Sequence, residues 1–345
     1  MDALLIESFD KLLQGACSPA VVRQVESSAD AAALWAAIDA SGYLDLLVPD
    51  AGGASLREAF ALWLACGQYT LPVPLAQTMW ARGGLAATGA DMPAGPIAIA
   101  PCAQPQADGA LLCAGVPFGA LAQSLLLQTP AGEPLCVPLA AAKLQRSGVP
   151  GSLQADIVLG MLPAGTVTLP AGTELQAAGA LITATLMAGA LQRLLAMTLQ
   201  YANERAQFGK PIGRFQAVQQ QLAVLAEQAF AARMAAELGC AETGVAPQPL
   251  RAAVAKARAA EAAEKAVAIA HAVHGAIGVT AEFDLQLVTR RLQEWRGDHG
   301  SASFWHAQLG RALLDARGTA TLPFLLGTLL PGPAARAGGE PGGEP

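Results

Sequence analysis

Apolar residues recur every three or four positions over 179–204, 215–240 and 250–274, a spacing that predicts three long helices. A fourth periodic stretch, 290–313, is interrupted near 297–300. Short loops at 209–213 and 243–249 would make consecutive helices antiparallel, so this half of the chain predicts a four-helix bundle. The first 88 residues predict short helices joined by turns. Leu34, Trp35 and Ile38 share one helical face, Pro49 and the Gly52-Gly53 pair break the pattern, 56–66 resumes it, and Pro72 and Pro74 end it. From about 90 to 175 the texture changes to short apolar runs at 96–99, 111–116, 124–128, 135–139 and 167–169, separated by Pro and Gly. That punctuation predicts small strands in a compact barrel or sandwich. The expected architecture is mainly α with a small β domain. A helical domain occupies 1–88, a β-barrel 89–175, the four-helix bundle 176–330 and a disordered Gly/Pro-rich tail 331–345.

Composition narrows the function classes. At 345 residues, 53% hydrophobic and 14% charged, the chain can bury a core in each unit. Its apolar mass is Ala and Leu with only 5% aromatics, which favours closely packed helices. A net charge of −6 with no basic patch argues against nucleic acid. The six cysteines, at 17, 66, 102, 113, 136 and 240, form no CxxC pair. No metal site is expected, and buried reduced thiols in a cytoplasmic protein are. The amphipathic, acidic start MDALLIESFDKLL does not read as a signal peptide. Residues 175–192 carry no charge, yet Thr183, Thr185 and Gly189 dilute them, so a buried bundle helix is expected rather than a membrane span.

The stretch Tyr201-Ala-Asn-Glu-Arg-Ala-Gln-Phe-Gly-Lys-Pro-Ile-Gly-Arg-Phe closes one long helix and opens the next. Arg205 and Gln207 could be a solvated helix end, where a cation suits the helix dipole, or could grip a pyrophosphate beside a tight turn. The segment resembles the signature of the acyl-CoA dehydrogenase family, in which an Arg-x-x-Phe-Gly turn reaches across a dimer interface to the FAD of the adjacent subunit. The resemblance implies that Arg205, Gln207 and Phe208 contact FAD. Downstream, His274-Gly275-Ala276-Ile277-Gly278 resembles the family's Gln-x-x-Gly-Gly-x-Gly loop, whose backbone N–H groups approach the same pyrophosphate; Gly275 and Ala276 would take that part. Two departures stand out: Ala272 replaces the family's Gln, and Ala276 replaces its second Gly. The segment from Trp35 to Gly53 resembles a third family feature, a helix followed by a Val-Pro turn with paired glycines. No stretch in the middle matches the family's Trp-Ile-x-Asn strand or its Ser/Thr-rich flavin-edge loop.

The family's reaction is α,β-dehydrogenation of an acyl-CoA thioester, with a carboxylate as base and FAD as hydride acceptor. The resemblance places the base in a Glu-Gly-Thr turn, here Trp295-Arg-Gly-Asp-His-Gly-Ser301. His299 stands at the glutamate position, and Ser301 replaces a threonine that hydrogen-bonds the cofactor. The family's alternative base position, early in the first bundle helix, falls at Gly179, with Ala180 where an arginine is usual. Asp298 is one residue off register, and a loop aspartate beside Arg296 is expected as a surface ion pair with a depressed pKa. Asp298 and His299 are thus the catalytic candidates. The missing base and the pattern of 295–310 resemble subunits of bacterial heteromeric enzymes that act on steroid and sterol side chains. The function implied is a FAD-dependent acyl-CoA dehydrogenase subunit working in a homo- or hetero-oligomer. It would complete the flavin site of a base-bearing partner and pass electrons to an electron-transfer flavoprotein-like acceptor. The alternative is a flavin-free assembly subunit.

Overall fold

The computed structural model describes residues 3–100, 102–316 and 320–330, so the tail expected from 331 onward lies outside the described residues. The amino-terminal part holds five helices: α1 (Ala3–Ala16), α2 (Pro19–Ser28), α3 (Ala32–Asp39), α4 (Leu56–Gln68) and α5 (Leu75–Ala86). Local signals set their starts. Ser18 caps α2 ahead of Pro19, and Ser55 and Glu58 form a capping box at the head of α4. Proline stops one helix after Gln68 as expected. Pro74 then caps α5, a helix that the proline-based reading had not separated.

The middle of the chain forms eight short strands: β1 (Ile97–Ile99), β2 (Gln104–Pro105), β3 (Leu111–Val116), β4 (Ser124–Gln128), β5 (Pro134–Pro138), β6 (Lys143–Arg146), β7 (Ala155–Leu159) and β8 (Val167–Thr168). They make two four-stranded sheets, ordered β1-β4-β5-β8 and β2-β3-β7-β6. Their apolar faces meet in a separate small core that joins Leu125, Leu127 and Val137 of the first sheet to Cys113, Ile157 and Leu159 of the second. Strand β6 carries four exposed residues and no apolar run, which is why periodicity does not reveal it.

The carboxy-terminal part is built on α6 (Leu175–Glu204), a hairpin of β9 (Ala206–Gln207) and β10 (Lys210–Pro211), and then α7 (Gln216–Gly239), α8 (Pro249–His274), α9 (Leu285–Trp295), α10 (Ala302–Asp315) and α11 (Thr321–Leu329). The interrupted fourth stretch is two helices, α9 and α10, meeting at the 296–300 turn. The apolar helix α6 has its first seventeen residues largely buried, so its hydrophobicity serves the core of the molecule. Five of the six cysteines are buried free thiols, but Cys102 is exposed.

Two glycines dock the helical head on the bundle. A Cβ at Gly67 of α4 would overlap the Leu186 carbonyl of α6, and one at Gly189 of α6 would overlap the Leu64 carbonyl of α4. The two backbones therefore touch at a crossing that no side chain could occupy. A buried ionic clamp adds a second tie. Glu26 of α2 accepts from Arg290 and Arg291 of α9, each at 2.6 Å. Arg146 of β6 donates to the Glu26 carbonyl at 2.8 Å and the Ser152 carbonyl at 2.6 Å. Gly189→Ala should destabilise the protein by on the order of 2–3 kcal/mol, the range for overpacking a tight contact. Gly310→Ala on α10, where an added Cβ meets nothing within 4 Å, should instead stabilise by about 0.5–1 kcal/mol. Urea unfolding of the two variants checks the pair, and a neutral Gly189→Ala would refute the close crossing.

Candidate functional site

The 296–300 turn is assembled by a buried cation. Lys256 of α8 is fully buried, and its Nζ donates to the Arg296 carbonyl at 3.0 Å and the Gly300 carbonyl at 2.8 Å. Burial pulls its pKa down to about 8. The His299 carbonyl is held from the other side by Gln176 Nε2 at 2.7 Å and Trp305 Nε1 at 3.0 Å. Those bonds hold His299 in the left-handed region, φ 51°, a conformation that costs energy for a residue with a side chain. The result is a rigid turn that presents Asp298 and His299 to the interior.

Asp298 is not a surface residue. It is 7% exposed, and its Oδ1 accepts from Gln154 Nε2 of the β domain at 2.6 Å. Arg296 turns away to Glu264 at 2.5 Å and Gln293 at 2.8 Å. The expected ion pair and depressed pKa are both corrected. Burial, aided by the nearby Glu294 carboxylate, pushes the Asp298 pKa up to about 8, against the pull of Lys256 and Arg291. His299 is likewise buried, and desolvation, with Lys256 beside it, drives its pKa down to about 3. Its ring lies against Gly179, where a Cβ would overlap the imidazole. The two positions at which the family resemblance places a base are therefore neighbours in space.

Asp298 and His299 line a cavity of about 940 Å³ between the β domain and the bundle. Its β-domain wall includes Ala114, Gly115, Val149 and Gln154, and its helical wall includes His271 and Glu294. Ser301 does not join them. It caps α10 by accepting from the Phe304 N–H at 3.2 Å, and its hydroxyl pairs with Ser303.

The remaining candidates gather elsewhere, around the end of α6. Arg205 leaves the helix in extended conformation, and Phe208 and Gly209 form the two-residue turn between β9 and β10 with φ 51° and 79°. Positive φ at both positions suits the twist of a tight hairpin, but Phe208 carries that strain while 92% exposed. Gly275 ends α8 with φ 64° and open space where a Cβ would be, followed by the exposed Ala276. The two motifs are tied together because Tyr201 stacks on His274 with ring centroids 4.4 Å apart and donates to the His274 carbonyl at 3.3 Å. None of Arg205, Gln207, Phe208, Gly275 and Ala276 lines the cavity of Asp298.

A pyrophosphate fits the hairpin better than the cavity. Arg205 is exposed and enters no ion pair among the described residues, and the Gly275 backbone is open. In the cavity the neighbouring cations are already engaged: Arg290 with Glu26, Arg291 with Glu26 and Glu294, and Lys256 with carbonyls. Sequence reasoning missed Lys256, Gln154, Gln176 and Glu294. Lys256 alone left a trace, a lysine in step with Ala252, Ala259 and Ala263 on the buried face of α8.

Comparison with known proteins places this arrangement. Residues 174–314 match the family model of the acyl-CoA dehydrogenase C-terminal domain. The acyl-CoA dehydrogenase IpdE2 of Mycobacterium tuberculosis is 39% identical over 123 residues, 36% of each chain. A 3-sulfinopropanoyl-CoA desulfinase of Paraburkholderia xenovorans is 34% identical over 134 residues, 39% of this chain and 34% of that one. The matched regions thus span about a third of these curated relatives. Among solved structures, a Tcur3481-Tcur3483 steroid ACAD variant superposes with a TM-score of 0.78 at 24% identity, covering 91% of this chain and 98% of that one. The ChsE4-ChsE5 complex from Mycobacterium tuberculosis gives 0.77 at 22% identity, covering 92% and 97%.

The pKa of Asp298 makes a prediction with a definite sign. Its folded value, about 8, lies above the roughly 3.9 of an unfolded aspartate, so the native state favours the protonated acid. Relative to Asp298→Asn, the wild type should be most stable below about pH 4, lose ground as pH rises through 8, and level off above it. Urea midpoints of both proteins between pH 4 and 9 test this, and parallel curves would refute a buried Asp298.

Proposed function

We propose that this chain, an acyl-CoA dehydrogenase homologue over its carboxy-terminal domain with the family's fold throughout, is the flavin-completing subunit of a hetero-oligomeric acyl-CoA dehydrogenase. The observation that carries the proposal is the hairpin. A strained, exposed Phe208 and an Arg205 that enters no ion pair among the described residues, beside an open Gly275, form a polar grip. In this reading Arg205 and Gln207 bind the FAD pyrophosphate of an adjacent chain, Phe208 packs against it, and the Gly275 and Ala276 backbone amides orient it. When bound, FAD would supply the acceptor for the hydride leaving the β-carbon of an acyl-CoA thioester.

The α-proton needs a carboxylate, and here the chain falls short. Gly179 has no side chain, and His299, with a pKa near 3, cannot hold a proton once it has taken one. The partner would supply the base. Likeness to a structure named as a steroid ACAD supports a steroid side-chain thioester as substrate in this reading, while a cytoplasmic setting and an electron-transfer flavoprotein-like acceptor are what the family resemblance implies. A second reading rests on Asp298, which lines the cavity with a pKa near 8, close to the working pH that suits a general base. A third, the flavin-free assembly subunit, predicts no flavin in any complex.

Turnover of acyl-CoA thioesters with an artificial electron acceptor separates these readings. The isolated chain should show none, and activity should appear with a base-bearing partner of the same fold. Arg205→Ala in that complex should weaken flavin retention roughly ten- to a hundredfold, the loss of a charge-assisted bond of about 1.5–3 kcal/mol, with helical content unchanged. Flavin retention equal to wild type would exclude the hairpin grip. Robust turnover by the isolated chain, abolished by Asp298→Asn, would make Asp298 the base.

A further inference from the structure

We infer that a second cavity, where α1, α2, α4, α6 and α9 meet, binds a zwitterion with an apolar side chain, the chemistry of an apolar amino acid or dipeptide. It measures about 440 Å³ and shares no lining residue with the cavity of Asp298. Its α6 wall begins at Gln192, thirteen residues and about 20 Å along the helix from Gly179, so the site stands apart from the 296–300 turn.

Two opposite charges face this cavity without neutralising each other. Asp10 comes from α1 and Arg193 from α6. Arg193 makes no side-chain hydrogen bond or ion pair among the described residues. Asp10 has one partner there, the Tyr69 hydroxyl, which donates to its Oδ1 at 3.0 Å. Burial and Asp10 raise the Tyr69 pKa while Arg193 opposes them, so both charges act on the same phenol. The other ionisable groups of the lining add no net charge. Asp284 is paired with Arg23 at 2.6 Å, and burial pushes the Cys17 thiol up to about 12. A ligand with an ammonium for Asp10 and a carboxylate for Arg193 makes charge-assisted bonds at both. A ligand with one charge alone meets a like charge in the same cavity.

Two amides of the lining have hydrogen-bonding capacity to spare. Gln68 Nε2 donates to Gln192 Oε1 at 3.0 Å. That leaves the Gln192 amide nitrogen and the Gln68 carbonyl without partners among the described residues, a donor and an acceptor that a peptide group completes. Val22, Met197, Leu287 and Val288 supply apolar area for the side chain. Strain holds the wall between α4 and α1. Thr70, a buried β-branched residue, sits in the left-handed region at φ 48°. Its hydroxyl donates to the Tyr69 carbonyl at 2.7 Å, which also receives the Cys17 thiol at 3.8 Å.

Isothermal titration of the full chain with L-leucine and with L-leucyl-L-leucine tests the site. At least one should bind saturably at one site per chain, and the tighter of the two identifies the source of the zwitterion. Acetylating the amino end or amidating the carboxyl end of that ligand should each weaken binding by roughly tenfold or more, the worth of one charge-assisted bond. Asp10→Asn and Arg193→Gln, both at exposed positions, should each weaken it by roughly fivefold or more with helical content unchanged. The acetylated ligand, which has no ammonium, should bind Asp10→Asn no more weakly than wild type. Ala196→Trp, also at an exposed position, should obstruct the cavity and abolish binding. Absence of saturable binding by both zwitterions, equal affinity for the capped ligands, or unchanged affinity in either charge variant would overturn the proposal.

Discussion

A lysine with no carboxylate in hydrogen-bond contact, sealed inside a helical bundle, organises the functional half of this protein. Taking an ammonium out of water is costly, and Lys256 meets that cost with two backbone carbonyls rather than a counter-ion. The arrangement is favourable because Arg296 closes α9, where carbonyls lack intrahelical partners and the helix dipole welcomes positive charge. Its two acceptors lie four residues apart at opposite ends of the turn, so one side chain fixes the path of the whole segment. Within the segment so held, Gln176 and Trp305 fix the His299 carbonyl, and Asp298 is buried.

The chain divides its polar groups between two places. One end of the bundle presents an exposed hairpin, an open glycine and an arginine that enters no ion pair among the described residues. The β-domain side presents an open-mouthed cavity lined by Asp298, His299, His271 and Glu294, beside which Arg290, Arg291 and Lys256 are already paired. A dinucleotide with a pyrophosphate suits the first environment and not the second.

Much of this was legible in the sequence because helices of this length announce themselves through periodicity, and the hairpin through the Arg205-to-Gly209 spacing. The strands were legible only where they carried apolar runs; β6 escaped because all four of its residues face solvent. The environment of Asp298 was not legible at all. Arg296 stands two residues away in sequence, which suggested an ion pair, but the turn sends the two side chains in opposite directions. What decides the aspartate's chemistry is burial against the β domain, where its hydrogen-bond partner is Gln154, just ahead of β7 and 144 residues earlier. Long-range partners of that kind leave no local pattern, and an alanine-rich helix hides a functional lysine among residues that merely pack.

The contact between His299 and Gly179 carries the argument one step further. In the family resemblance these are the two alternative sites for a catalytic carboxylate, and here they share one volume. With the imidazole in place, position 179 cannot accept even a methyl group without overlap. A side chain at 179 would in turn push His299 out of the conformation that Gln176 and Trp305 hold. The two positions are therefore coupled, and neither can regain a carboxylate by a single tolerated change: glutamate at 179 meets the histidine, and glutamate at 299 would bring a third acidic side chain up to Asp298 and Glu294. Packing at 179 and 299 thus works against a carboxylate at either position.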